Sequence, residues 1–439
     1  MESPELVISA RWIVPVEPAG QVLENYALVV RGGRIIELLP ATEAASRFPG
    51  ARHLSRPTHL LIPGLVNAHV HMPMTLFRGL ADDLPLQTWL EQHIWPAEQR
   101  WVGPEFVRDG CELAVIEMLR GGTTSCQEMY FFPDIAAEVA LNHGLRVTVG
   151  MILIEQATAW ASSIEEYFEK GLAVHDRYRG NDLVSTSFAP HAPYTVGDEA
   201  LGRLKVLANE LERPVHMHVH ETAHEVNSAV EASGERPLAR LDRLGLVSPL
   251  LAAVHMTQLD DEDIQRVADG GASVIHCPES NLKLASGFCP VARLLTAGIN
   301  VALGTDGASS NNDLDMLSEM RSAALLGKAV ANDAAAVSAE QALGMATLNG
   351  ARALGLGDEI GSLLPGKRAD LTCINFDHPA TQPVHQPISQ LVYAATRDQV
   401  SDVWVGGEQL VADGQLTRAP VDEIIARAQA WQQRLAETP

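Results

Sequence analysis

The stretch Leu60-Leu61-Ile62-Pro63-Gly64-Leu65-Val66 runs without a charge into Asn67-Ala68-His69-Val70-His71-Met72-Pro73-Met74. A short apolar run of this kind reads as a buried β-strand. In a strand, residues i and i+2 project to one side, so His69 and His71 aim both imidazoles at one point. Imidazole nitrogen is a favoured ligand of zinc and neighbouring transition metals. The end of a buried strand is a rigid place to hold two of them.

Outward from this point, short β-rich segments alternate with long amphipathic ones. Eight candidate inner strands can be traced: Leu61–Ala68, Thr123–Met129, Leu145–Ile154, Leu183–Ala189, Pro214–Val219, Leu251–Met256, Ala272–Cys277 and Ile299–Gly304. Helical stretches between them include Glu105–Arg120, Ala136–His143, Ile164–Tyr178, Ala200–Glu212, Asp261–Asp269 and Met316–Val330. The alternation predicts an α/β fold, a closed (β/α)8 barrel of the TIM type, with chemistry at the C-terminal ends of the strands.

The flanks have a different texture. Leu6-Val7-Ile8-Ser9, Ala27-Leu28-Val29-Val30 and Arg34-Ile35-Ile36-Glu37 precede the barrel as short strands. After the helical Ala334–Leu354, Asp370–Ile374, Gln390-Leu391-Val392-Tyr393 and Asp402–Val405 read as strands again. The expected division is therefore 1–60 and 361–420 as the two parts of a small β-sandwich, 61–360 as the barrel, and 421–439 as a C-terminal helix, roughly Val421–Glu437.

A length of 439 residues accommodates a barrel of about 250 residues plus a smaller domain. The net charge of −23 argues against nucleic acid as a partner, since phosphate binding needs basic patches. Five widely spaced cysteines indicate reduced thiols and a cytoplasmic protein. Met1-Glu2-Ser3-Pro4-Glu5 lacks the profile of a signal peptide, and no apolar stretch reaches the length of a membrane span.

Four further strand ends carry chemistry. Strand four ends in Pro190-His191, strand five in His216-Met217-His218-Val219-His220-Glu221, and strand six in Val254-His255. Strand eight opens into Gly304-Thr305-Asp306-Gly307. The period of two puts His216, His218 and His220 on one face, so spacing alone does not select a ligand among them. Singly, such histidines are ordinary hydrogen-bonding residues and Gly-Thr-Asp-Gly is a turn. Together they face one barrel mouth, where polar groups buried without partners would be costly.

With these motifs assembled, the chain resembles the amidohydrolase superfamily. Within it, the resemblance is to the adenosine-type deaminases that act on 5′-methylthioadenosine and S-adenosylhomocysteine. It covers nearly the whole chain and rests on Pro63–His71, His218–Glu221, His276–Leu284, Gly304–Asn312 and Ala346–Leu354. Pro73–Leu80, followed by Trp89-Leu90 and Trp95-Pro96-Ala97-Glu98, looks like the substrate-capping segment of these nucleoside deaminases.

Carried over by motif, the metal ligands are His69, His71, His218 and Asp306. The family's His-x-x-Glu spacing selects His218, because Glu221 lies three residues on. His216 and His220 then become neighbours or packing residues. Relatives with two metals carry a lysine at the end of strand four, and Ser185–His191 contains none. One divalent ion is therefore expected, zinc before iron or manganese.

The resemblance also implies a reaction, hydrolytic deamination at C6 of a purine nucleoside with release of ammonia. Asp306 would take a proton from an activated water, and His255 would hold the resulting hydroxide. Protonated Glu221 would donate to ring N1 and then serve the departing amine. A dry pocket rimmed by Trp89 and Met72 would keep it protonated. His191 would bond the base, and Glu98 would accept from the ribose hydroxyls.

Relatives that handle S-adenosylhomocysteine place arginines near the end of strand three. Here Gly150–Ser163 contains no Arg or Lys, which favours an apolar 5′-methylthio group over a zwitterionic tail. S-adenosylhomocysteine, adenosine, and guanine or another base remain the alternative substrates. A non-catalytic assembly role would be expected to lack one or more ligands, and this chain retains the set. A homo-oligomer, dimer or tetramer, is expected from the family.

Overall fold

The computed structural model describes residues 5–436. Met1–Pro4, and Glu437 at the expected end of the last helix, lie outside the described residues. The first of two eight-stranded sheets is parallel and follows chain order. Its strands are Leu65–Val70, Thr123–Glu128, Arg146–Leu153, Val184–Pro190, Val215–Val219, Leu251–His255, Ser273–His276 and Val301–Leu303. Every residue of Leu65–Val70 and of Arg146–Leu153 is buried, as in strands covered by helices on one face and a packed interior on the other.

The last strand returns to the first. The Asp306 N–H donates to the His69 carbonyl at 3.0 Å. A Cβ on Gly304 would lie 2.7 Å from the His69 backbone nitrogen, so closure at this seam needs a residue without a side chain. Helices Pro104–Arg120, Pro133–His143, Ile164–Tyr178, Asp198–Leu211, Asp261–Gly270 and Met316–Ala331 surround the sheet. The architecture is the expected (β/α)8 barrel.

The second sheet is mixed and joins both flanks. Its order is Gln415–Leu416, Glu408–Ala412, Val400–Val405, Leu371–Asn375, Arg52–Pro63, Leu6–Ile13, Leu23–Arg31 and Arg34–Pro40. It curls over its own core, because Leu28 and Ile35 from one half pack with Leu371, Cys373 and Trp404 from the other. The Ile35 N–H donates to Lys367 O at 2.9 Å across the gap. The flanking regions thus form the sandwich-like unit from one continuous sheet.

Three expectations need correction. The run Leu61–Ala68 is two elements, because Arg52–Pro63 belongs to the mixed sheet and Leu65–Val70 opens the barrel. Gly64 marks the break: a Cβ there would lie 2.0 Å from Thr124 Oγ1. Gln390–Tyr393 is the end of a helix, Pro387–Tyr393, and not a strand. Pro387 occupies the first turn, where no N–H is needed, and Ile388, Leu391 and Val392 form a buried face at helical spacing. Ala334–Leu354 divides into the short helices Ala339–Met345 and Leu348–Ala353.

Two features frame the barrel mouth and wall. Leu86–Trp101 is a helical cap interrupted by a π-helical turn at Leu90–Ile94, an irregularity often found at functional sites. The last helix, Val421–Ala436, packs on Pro104–Arg120, where Trp431 Nε1 donates to Asp109 Oδ2 at 2.8 Å. No helix among the described residues is long and apolar enough to cross a membrane.

Candidate metal centre and active site

The strand ends bring His69, His71, His218 and Asp306 together. His69 Nε2 and His71 Nε2 lie 3.3 and 3.2 Å from Asp306 Oδ1. His218 Nε2 lies 3.2 Å from His69 Nε2. One donor atom from each of the four side chains falls within 4.8 Å of the others, and no other such cluster occurs among the described residues.

The far nitrogen of each ring is also engaged. His71 Nδ1 contacts the Met129 carbonyl, and His218 Nδ1 lies 2.9 Å from the His191 carbonyl. A carbonyl only accepts, so both Nδ1 atoms carry a proton, and each ring in its neutral form turns the lone pair of Nε2 toward the cluster. His69 Nδ1 lies 2.8 Å from His216 Nε2. Lone pairs and a carboxylate oxygen crowded at this spacing repel unless a cation lies among them. The donor set fits one divalent ion held by three imidazoles and a carboxylate.

Electrostatics agree with that fit. Burial pushes His69 down to about 4 and His218 well below its ordinary value, so both stay neutral, as a ligand must. Burial also opposes charge on His71, yet Asp306 and Glu128 raise it to about 9. Burial would raise Asp306, but the adjacent His69 and His71 hold its carboxyl well below the usual range. Its position is welcoming to positive charge.

Asp306 is held firmly. Its Oδ2 accepts from Ser280 Oγ at 2.7 Å and Ser310 Oγ at 3.0 Å, while Oδ1 accepts the Gly307 N–H at 2.8 Å. Asp306 and His255 have φ of +63° and +75°. A non-glycine residue in this region costs about 1–3 kcal/mol and persists where surrounding contacts demand it, commonly at functional sites.

Two more groups stand beside the cluster. His255 Nε2 lies 3.8 Å from Glu221 Oε2, and His255 Nδ1 lies 2.9 Å from Asn281 Oδ1. Asn281 accepts through that oxygen, so His255 donates from Nδ1 and keeps Nε2 as an acceptor. Burial, with Asp306 nearby, raises the Glu221 carboxyl above its ordinary value.

These groups open into a cavity of about 340 Å³, lined by His71, His191, His218, Glu221, His255 and Asp306 at its base. Trp89, Glu98, Met74 and Ile154 contribute to its walls. Trp89 is buried, with an indole N–H that has no protein acceptor. Glu98 accepts from Tyr130 Oη at 2.5 Å, and burial pushes its carboxyl up to about 7. Burial lowers His191 to about 4, so its ring is neutral.

The structure separates the three histidines that spacing left equivalent. His220 turns away, with Nδ1 3.1 Å from Gln258 O and Nε2 accepting the Leu238 N–H at 3.1 Å. Met72, expected at the rim, is fully buried and outside the cavity, whose wall carries Met74. The reason is local: a 3₁₀ helix begins at Met72, so strand alternation stops there. Ser280, Asn281, Ser310 and Tyr130 were not singled out from sequence. Ser280 and Asn281 lie inside the motif His276–Leu284 and Ser310 inside Gly304–Asn312, which offered the only signal for them; Tyr130 lay in none.

The chain belongs to the amidohydrolase family, whose sequence profile matches residues 60–410. It is similar to the 5-methylthioadenosine/S-adenosylhomocysteine deaminase of Teredinibacter turnerae, at 50% identity over 98% of this chain and 97% of that protein. The enzyme of the same name from Saccharophagus degradans is 49% identical over 98% and 97%. Among solved structures, an adenosine deaminase from Xanthomonas campestris with bound zinc is 54% identical. That structure superposes with a TM-score of 0.98, covering 100% of both chains.

Proposed function

We propose that this protein is a metal-dependent deaminase of adenosine-type nucleosides, converting 5′-methylthioadenosine to 5′-methylthioinosine and ammonia. The observation that carries the reading is the convergence of His69, His71, His218 and Asp306 on one point, with Glu221 and His255 beside them at the base of an apolar cavity. The relatives and the zinc-containing neighbour named above support it. On this reading residues 61–360 carry the chemistry, except that Leu61–Pro63 end a strand of the flanking sheet otherwise drawn from 1–60 and 361–420, and 421–439 form the C-terminal segment.

Zinc held by the four ligands would supply the Lewis acidity that makes a water acidic near neutral pH. Asp306 receives the water's proton on its carboxylate. His255 Nε2, the free acceptor of that ring, orients the water oxygen toward C6. Glu221, whose carboxyl burial raises above its ordinary value, donates in its protonated form to ring N1 and makes C6 more electrophilic. Its carboxylate then takes up the proton remaining on the attacking oxygen and passes it to the exocyclic amine, which leaves as ammonia while C6 keeps the oxygen as a carbonyl; the proton held by Asp306 restores Glu221. His191 bonds the base, Glu98 accepts from the ribose hydroxyls, and Trp89 covers the sugar.

The cavity wall supports the choice of methylthioadenosine. Among the described residues lining it there is no Arg or Lys, and the wall after the third barrel strand carries Ile152, Ile154, Ala157 and Ala159. A homocysteine tail would leave its carboxylate without a guanidinium partner. Five free, buried cysteines suit a reducing cytoplasm, and assembly as a homo-oligomer is part of the same proposal. The test is kcat/KM for methylthioadenosine, S-adenosylhomocysteine, adenosine and guanine with the metal-replete protein. Methylthioadenosine should lead S-adenosylhomocysteine by about tenfold or more, the value of one missing charged contact. A preference for S-adenosylhomocysteine would overturn the argument from the wall.

A further inference from the structure

Three imidazoles point their Nε2 atoms at the cluster, and each rests its Nδ1 on an acceptor. For His71 and His218 that acceptor is a backbone carbonyl, of Met129 and His191. For His69 it is a side chain, His216 Nε2 at 2.8 Å. His69 is therefore the one histidine in the cluster whose orientation depends on a replaceable partner.

The tautomers follow from proton accounting. A ligand nitrogen must be unprotonated, so a His69 that ligates through Nε2 carries its proton on Nδ1. His216 must then receive that N–H on a bare Nε2 and hold its own proton on Nδ1. His216 Nδ1 is buried and has no acceptor in the protein. The strand order explains the contact. His216 is two residues before His218 on the strand Val215–Val219, so it faces the same way one layer deeper. It is 1% exposed, and its ring lies 5.0 Å from that of His69 with planes 28° apart.

We infer that His216 is a positioning residue: as a neutral acceptor it fixes the tautomer and ring angle of His69, and through them the affinity of the site for its metal. This rests on the metal-site reading above. An imidazole acceptor leaves the ligand set with one formal negative charge, that of Asp306. A carboxylate in the same place would add a second and make His69 a more basic ligand. The arrangement holds the ion through geometry while keeping it electrophilic.

Two variants and one variant-free measurement test this. His216→Leu removes the acceptor at a buried site and should weaken zinc binding, read by competition with a chromogenic chelator, about 10–100-fold. His216→Gln, whose amide oxygen can accept the same N–H, should recover most of that loss. The cobalt-substituted proteins should follow the same order, with the visible absorption of the Leu form shifted and that of the Gln form near wild type. Stripped of metal, both variants should unfold at similar temperatures, which separates a metal effect from a folding effect. In the wild-type zinc form, ¹⁵N spectra of the histidines should show His216 protonated at Nδ1 and bare at Nε2. Zinc affinity of the Leu form equal to wild type, or a proton on His216 Nε2, overturns the inference. Failure of wild-type protein to bind zinc would instead overturn the metal-site reading.

Discussion

Replacing Glu221 with glutamine removes one transferable proton and changes the shape of the side chain little. The carboxyl lies 3.8 Å from His255 Nε2 and is not among the four clustered donors. Metal content should therefore stay at the wild-type level. Burial raises this carboxyl above its ordinary value, which favours the protonated form that ring N1 would use. Positioned general acid–base groups contribute about 10²–10⁴ in rate. The same carboxyl serves both N1 and the amine, so kcat for Glu221→Gln should fall toward the upper end, about 10³–10⁴-fold. That is about 4–5 kcal/mol of transition-state stabilisation. KM should change by less than about threefold, because the amide still fits the site and the loss is confined to the transition state. The assay is the absorbance change of adenine to hypoxanthine in methylthioadenosine, with zinc measured in the same samples. A variant that keeps more than about a tenth of wild-type kcat, or that loses its zinc, would refute the assignment.

Other outcomes follow from the same geometry. Burial pushes the Glu98 carboxyl up to about 7, and its ionised form is the stronger acceptor for two ribose hydroxyls, so wild-type KM should fall as pH rises through about 7. Glu98→Gln should raise KM and flatten that dependence; a pH-dependent KM of wild-type shape in the variant would contradict the role. Gly64→Ala sets a methyl 2.0 Å from Thr124 Oγ1 at the step between the two sheets. It should cost about 1–3 kcal/mol of stability in denaturant unfolding, and a variant as stable as wild type would contradict the packing argument.

Much of this site was legible in the sequence because strand geometry is periodic. His69 with His71, and His218 with Glu221, sit where alternation and motif spacing put them. Gly-Thr-Asp-Gly could be read as the opening of a strand because Val301-Ala302-Leu303 precedes it. What sequence could not supply were contacts made by distant segments. The support of His255 by Asn281 and the bond from Tyr130 to Glu98 each join elements that lie 26 and 32 residues apart. The period of two left His216, His218 and His220 equivalent, the motif spacing to Glu221 selected His218, and only the structure shows His216 resting on His69 and His220 turned toward Gln258. Where the reading erred, local geometry changed faster than composition. Gly64 divides one apolar run between two sheets, Met72 begins a 3₁₀ helix, and Pro387 starts a helix whose β-prone residues face the core.

One ion in this cluster is what turns the cavity into the active site of a nucleoside deaminase. The most direct test follows ammonia release from 5′-methylthioadenosine by chelator-stripped protein titrated with zinc. Activity should be absent at the start, rise linearly to one equivalent per chain, and gain nothing from a second. Full activity in the stripped protein, or no ammonia at any zinc level, would contradict it.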